Sequence, residues 1–238
     1  MERNPLVVLS VFDDDGGTVE PATRDRVVST WRNAVESRIG SIVVDTNDAE
    51  LRKRFGGSDA CFLHPVSDRD EIRHNYMTVS GAERLARHVN KFDRFYNHDV
   101  VINVYGHLEV FSGDVIRALM WPLADYTIDF AVAVEDWDNP SRDDETIGVA
   151  VEWAERRHVH HVVGCQVGRP TEFSYDPDAL GGSPRLRLLP VFAYKRASLD
   201  RFLRFGPSLR ELEETLEPLR AFDMGMRVGA VRLVERAG

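Results

Sequence analysis

Residues 5–46 read PLVVLSVFDDDGGTVEPATRDRVVSTWRNAVESRIGSIVVDT. The apolar run Val7 to Phe12 predicts a strand that drops into a turn of three aspartates and two glycines. The stretch from Pro21 places Val27, Val28, Trp31, Ala34 and Val35 at helical spacing, so it predicts an amphipathic helix. SIVVDT is a second buried strand. Strand, turn, helix, parallel strand is the βαβ unit, and near-continuous apolar strands belong to a sheet covered on both faces. A turn between such a strand and helix usually suits a phosphate, through its backbone N–H groups and the positive helix end. Here the turn is itself anionic. Asp13, Asp14 and Asp15 occupy it, and no Lys or Arg follows until Arg24.

Outward from this unit the alternation continues. NDAELRKRF predicts a short helix with Asn47 or Asp48 as its cap, and ACFLHP a third strand stopped by Pro65. SDRDEIRHNYMT is a polar loop. SGAERLARHVNKF opens a helix on a capping box, Ser80 with Glu83. DVVINVY is a fourth strand, VFSGDVIRALMWPL one further helix, and IDFAVAVED a fifth strand. The pattern then changes. After the acidic loop WDNPSRDDET, IGVAVEW and HVHHVVGCQVG predict an antiparallel pair. LRLLPVFAYK is a strand, RASLDRFLRF a helix, PSLRELEETLEPLRAFDMG a helical stretch and MRVGAVRLVE a last strand. With no repeat, low-complexity tract or linker, the expectation is one domain over residues 1–238. It is an α/β fold with a mostly parallel sheet, helices on both faces and a β-rich excursion at about 136–185.

The 238 residues carry a net charge of −9, which argues against nucleic acid as a partner. No run of about 18 apolar residues occurs and residues 1–20 hold no long apolar stretch. That predicts no membrane span, no signal peptide and a cytoplasmic protein. Cys61 and Cys165 follow no CxxC spacing and sit beside apolar residues, as buried reduced thiols do.

Several stretches fall into a familiar order: GSIVVDTNDAEL, SGAERLARHV, DVVINVYGHLEV, LRLLPVFAYKRASLDRF, LEPLR and MGMRVGAVRLVE. Together they resemble the CMP-KDO synthetase family, the cytidylyltransferases that activate 3-deoxy-manno-octulosonate. The resemblance runs nearly the whole chain and rests on collinearity. It implies the nucleotidyltransferase fold and a homodimer whose contacts involve the β-rich excursion. It also implies a reaction that joins CTP to a sugar acid and releases pyrophosphate with Mg2+ or another divalent cation.

The resemblance also marks departures. The family's first loop is basic and wraps the triphosphate; DDDGGTVEPAT keeps Gly16 and Gly17 without its cations. A metal-binding aspartate follows the family strand that here reads INVYG, and His107 stands there. A second metal aspartate belongs to a GVDT-type turn after the last strand, and this sequence reaches Ala237 and Gly238 before any such turn. Carboxylates near a triphosphate repel it by about a kcal/mol per close pair. Imidazole is a poor ligand for magnesium and suits softer metals.

Other features stay in register. Gly81, Glu83 and Arg84 of SGAER match a segment near the base and phosphate, and Arg84 can meet a phosphate or carboxylate bidentately. Tyr105 and Gly106 sit at a strand's carboxyl end, where open α/β sheets bind ligands. Glu217 matches a family glutamate, but Pro218 replaces the glutamine that follows it. Leu188 and Leu189 lie where the family offers polar sugar contacts.

Two function classes follow. One is a divergent nucleotidyltransferase acting on CTP or another NTP and a sugar-like acceptor, its ancestral CMP-KDO synthesis lost. Gly16, Gly17, Gly81, Tyr105 and Gly106 would bind nucleotide, Arg84 and His107 would serve catalysis, and Asp13, Asp15 and His107 would hold the metal. The other is a non-catalytic pseudoenzyme acting as a binding or regulatory subunit for a protein partner. Weaker candidates are a half zinc site at His158 and His160, with His161 pointing opposite, and a calcium-like Asp13-x-Asp15-x-Gly17 loop. No GxSxG, GxxxxGK[ST] or GxGxxG motif is present.

Overall fold

The computed structural model describes residues 4–11, 19–46, 48–55, 61–62, 85, 89–90, 93–137, 146–159, 164–176, 178–180, 185–214 and 216–234, with backbone alone at 61–62 and 155–159. The strands are β1 (Pro5–Val11), β2 (Ser41–Thr46), β3 (Cys61–Phe62), β4 (Val100–Val104), β5 (Phe130–Asp136), β6 (Gly148–Val159), β7 (Gly164–Ser174), β8 (Leu186–Lys195) and β9 (Val228–Val234). The helices described are α1 (Pro21–Ser37), α2 (Ala49–Phe55), α3 (Gly113–Ala118), α4 (Met120–Ala124), α5 (Arg196–Phe205), α6 (Leu209–Glu214) and α7 (Glu217–Asp223).

All nine strands among the described residues join one sheet, in the order β3-β2-β1-β4-β8-β5-β9-β7-β6. The expected parallel α/β sheet is present as β3-β2-β1-β4 and again as β5-β9. Between them β8 runs antiparallel to both β4 and β5. The β-rich excursion is a continuation of this sheet: β7 pairs with β6 and with β9, and Gly148 of β6 meets Arg187 of β8.

Buried residues form two clusters, one on each face. The strand residues Leu6, Val8, Val101, Val132 and Phe192 pack with Leu199 and Phe202 of α5, Leu219 of α7, and Leu85 and Val89. Val7, Leu9, Ile102 and Val104 face the other way, onto Val27 and Ala34 of α1, Leu51 of α2 and Ile116 of α3. The period-two alternation of the strands produces this sorting.

Several boundaries differ from the sequence reading. The helix expected over VFSGDVIRALMWPL is two short ones meeting at Leu119, the first capped by the Ser112 hydroxyl accepting from the Val115 N–H at 3.3 Å. Pro122 lies in the first turn of α4; its ring and missing N–H deny a continuous helix the bond back to Ala118, where α3 ends. PSLRELEETLEPLRAFDMG likewise divides into α6 and α7, with Pro218 in the first turn of α7, the position proline tolerates best. β6 runs to Val159 and β7 starts at Gly164, so His158 belongs to the first strand of the antiparallel pair rather than the second; His160 and His161 lie outside the described residues. Leu85, Val89 and Asn90 are helical, and the rest of SGAERLARHVNKF lies outside the described residues.

Candidate functional site

The site is built at the carboxyl ends of β1, β2 and β4. On one face of the sheet the apolar pattern gives way to polar groups. Ser10 sits opposite Asp45 in the register of β1 and β2, and Asn103 opposite Val8 in β1 and β4. The Ser10 hydroxyl donates to Asn103 Oδ1 at 2.7 Å, and both side chains are buried. Two residues on, Tyr105 continues the same face. Its backbone N–H donates to the Pro190 carbonyl at 3.1 Å and its hydroxyl to Glu217 Oε2 at 3.3 Å. Glu217, buried at the start of α7, also accepts from the Tyr194 hydroxyl. The Tyr105 ring lies edge-on to Phe192 and to His107, at 6.0 Å between centroids in each case.

A turn follows β4, closed by the Leu108 N–H on the Tyr105 carbonyl at 3.0 Å. His107 Nδ1 lies 3.2 Å from the carbonyl oxygen of Ser10. A carbonyl only accepts, so Nδ1 carries the proton and Nε2 is the ring's lone-pair atom when the imidazole is neutral. The His107 carbonyl in turn accepts from Arg26 Nε at 3.1 Å, and Arg26 Nη2 donates to the Thr23 hydroxyl at 2.8 Å. Beyond the turn, the Phe111 N–H donates to the Thr30 hydroxyl at 3.2 Å and Asn33 to the Phe111 carbonyl at 2.9 Å. The segment is thus held against α1 at both ends. Gly106 needs no special space: an added Cβ would meet Leu9 and Thr30 at 3.8 Å, ordinary contact.

Two arginine–carboxylate clusters flank this turn. On one side Arg24, the first cation after the acidic loop, is buried and forks onto Asp48, Nε at 3.1 Å and Nη2 at 2.8 Å. Asp48 caps α2 through the Leu51 N–H at 2.7 Å and also accepts from the Val19 N–H at 3.1 Å. Burial pushes the Asp48 carboxyl up, but the Arg24 fork and these two N–H groups outweigh it and hold the group below the usual aspartate range. On the other side Arg187 Nη2 reaches Glu109 Oε1 at 2.9 Å and its Nε reaches Glu135 Oε1 at 2.6 Å. Beyond it Arg232 binds Asp136 at 2.7 Å and Gln166 Oε1 at 3.0 Å, and stacks over Trp153. On the face of the sheet that α1 and α3 cover, a cleft of about 370 Å3 between α3, β5 and β9 reaches Glu135 and Asp136.

No protein-family model matches the chain. Among curated proteins, the 3-deoxy-manno-octulosonate cytidylyltransferase of Methylobacterium radiotolerans is 32% identical over 204 residues, 86% of this chain and 76% of that protein. The namesake of Methylorubrum extorquens strain PA1 is 32% identical over 208 residues, again 86% and 76%. The chain belongs to the 3-deoxy-manno-octulosonate cytidylyltransferase family. Among solved structures, a CMP:2-keto-3-deoxy-manno-octonic acid synthetase complexed with CTP superposes with a TM-score of 0.68 at 17% identity, covering 96% of this chain and 89% of that one. A 4-diphosphocytidyl-2C-methyl-D-erythritol synthase of Anaerococcus prevotii (TM-score 0.56, 9% identity, 98% and 90%) shares the nucleotidyltransferase fold.

Within this cytidylyltransferase-family fold, the sequence-predicted residues Tyr105, Gly106 and His107 come together on one turn at the carboxyl end of β4, and Glu217 joins them from α7. Asp13, Asp15, Gly16, Gly17, Gly81, Glu83 and Arg84 lie outside the described residues. Among the described residues no three His, Cys, Asp or Glu side chains gather as a metal would require. Leu188 and Leu189 are buried, 6% and 2% exposed, so neither offers a polar contact. Cys165 is buried, and burial pushes its thiol up to about 11, the inert state expected of it. The sequence reading missed Arg26, Glu109, Arg187 and the Ser10–Asn103 pair. Ser10 and Asn103 carried a usable signal, since each is a polar residue within an apolar strand near its carboxyl end.

Proposed function

We propose that the chain is a divergent sugar-acid cytidylyltransferase-like enzyme. It transfers a nucleotidyl group from CTP or another NTP to a sugar-like acceptor, and CMP-KDO synthesis itself has been lost. The observation that carries this reading is the turn at residues 105–108, anchored on β1, α1 and α7 where the parallel strands end. Ligands of open α/β sheets bind at that place. In the transfer, an acceptor oxygen attacks the α-phosphorus, a P–O bond forms, and the bond to pyrophosphate breaks. Tyr105 and Glu217 form a polar wall for base or sugar, with Gly106 beside them on the nucleotide-binding turn.

A divalent cation would neutralise charge on the phosphates when bound. On the turn after β4 His107 fits it, since its Nδ1–H on the Ser10 carbonyl is the kind of outer partner that orients a ligating imidazole through Nε2. Imidazole favours manganese, cobalt or zinc over magnesium. Asp13 and Asp15 are the further ligands of this proposal. A homodimer and a cytoplasmic location belong to the same reading. No helix described is long and apolar enough to cross a membrane.

A second reading, the pseudoenzyme that partners another protein, is favoured by Arg24. The fork on Asp48 commits this arginine to the scaffold. Calorimetric titration with CTP, with and without magnesium or manganese, separates the two. Metal-dependent micromolar binding followed by pyrophosphate release with a sugar-like acceptor is the expected result. Absence of binding by any nucleotide with either metal would remove the transferase reading and leave the partner reading.

A further inference from the structure

Arg24 and Arg26 lie two residues apart on α1, yet they meet different company. Arg24, Arg187 and Arg232 each bind a carboxylate. Arg26 meets only neutral oxygens, the His107 carbonyl and the Thr23 hydroxyl, and pairs with no carboxylate among the described residues. Its guanidinium is half-buried between the first turns of α1 and the turn after β4. It lies beside the carboxyl end of β1, because the ring of that same His107 rests on the Ser10 carbonyl. Two hydrogen bonds fix the fork in place and leave three of its five N–H donors. A half-buried guanidinium that meets no carboxylate among the described residues favours an arriving anion. The end of α1 adds to this: Glu20 at its cap makes no side-chain bond to the first N–H groups, and the helix presents its positive pole there.

We propose that Arg26 binds a phosphate of the nucleotide, supplying from α1 the positive charge that the acidic loop of residues 13–15 lacks. This deepens the transferase reading and rests on it for the identity of the ligand. The chemical requirement is narrower: a polyphosphate at the carboxyl end of β1, met by a fixed, bidentate donor.

The test titrates the full chain with CTP and, separately, with inorganic tripolyphosphate, for the wild type, Arg26→Gln and Arg26→Lys. Gln keeps an N–H for the His107 carbonyl and removes the charge; Lys keeps the charge and loses the fork. The expected result is at least about a tenfold weaker affinity for Arg26→Gln, the size of one charge-assisted hydrogen bond, at an unchanged melting temperature. Arg26→Lys is expected to recover part of that loss. If Arg26→Gln lowers the melting temperature, Arg26→Lys decides. Recovery of binding supports an anion contact, and equal loss in both variants overturns it in favour of a role in holding the His107 turn. Equal affinity of wild type and Arg26→Gln for CTP overturns the inference and leaves the transferase reading standing. Tripolyphosphate binding that depends on Arg26, without CTP binding, keeps the anion site and removes the transferase reading. Binding of neither probe by the wild type overturns both.

Discussion

The two arginine clusters that flank the turn after β4 use the same chemistry to different ends. Arg24 and Asp48 are buried, their side chains 9% and 1% exposed, and the carboxylate also holds two backbone N–H groups. Arg187 is 27% exposed, and its two carboxylates, Glu109 and Glu135, are 30% and 45% exposed. A buried pair is costly to break, because the survivor is left charged and out of water. A solvated pair is screened by water and salt and contributes little. The first cluster therefore joins α1 to α2 as part of the scaffold. The second sets the charge at the edge of the site without much effect on folding.

The largest effect that would test this contrast is at Asp48. Asp48→Ala removes the cap of α2 and strands Arg24, and about 3 kcal/mol of stability should be lost, read by urea denaturation. Asp48→Asn keeps a cap and removes the charge, so it should fall between. A loss below about 1 kcal/mol in Asp48→Ala would erase the distinction between the clusters. Cys165 reports how far the damage spreads. Its thiol, pushed up to about 11 by burial, should resist a thiol reagent at pH 8 in the native protein. If Asp48→Ala makes it react quickly, the sheet opens as one unit rather than only around α2.

Acid should act through the same group. The folded Asp48 carboxyl titrates below its unfolded counterpart. Its contribution is complete above the ordinary aspartate pKa and disappears as pH falls through the folded value. A urea series from pH 6 down to pH 2 should show this slope in the wild type and a flatter one in Asp48→Asn.

Arg187→Met should cost less than about 1 kcal/mol, and 1 M salt should shrink the difference from wild type further. A cost of several kcal/mol would place Arg187 in the scaffold with Arg24. Gly106→Ala, between the two clusters, should change stability by less than about 0.5 kcal/mol, since a methyl finds ordinary contacts at 3.8 Å. A large loss would mean that the turn after β4 demands glycine for its backbone.

Much of the scaffold was legible because it is local and periodic. SIVVDT, LRLLPVFAYK and RASLDRFLRF match β2, β8 and α5 residue for residue, each being an apolar run or amphipathic segment bounded by polar residues. The reversal of β8 was not legible, since a buried strand reads the same in either direction. The break at Leu119 was hidden by an unbroken apolar pattern on both sides of it. The site was legible only where family likeness and strand ends coincide, at Tyr105, Gly106 and His107. Arg26 meets the His107 carbonyl across 81 residues, and Tyr105 meets Glu217 across 112. No local pattern announces a contact of that range. Arg24, the first cation after the acidic loop, turns to Asp48, and only the fold shows that pairing.

The antiparallel insertion of β8 also sets a timetable for the ribosome. β1, β2 and β4 can pair once the first 104 residues have been made, but Val100 of β4 finds its other neighbour only at Lys195. At about 5–20 residues per second, that wait lasts on the order of 5–20 s. During it VVINV, buried throughout in the finished fold, presents an unpaired apolar edge. The nascent chain is therefore most open to sticking, and most in need of a chaperone, in the interval before LRLLPVFAYK emerges.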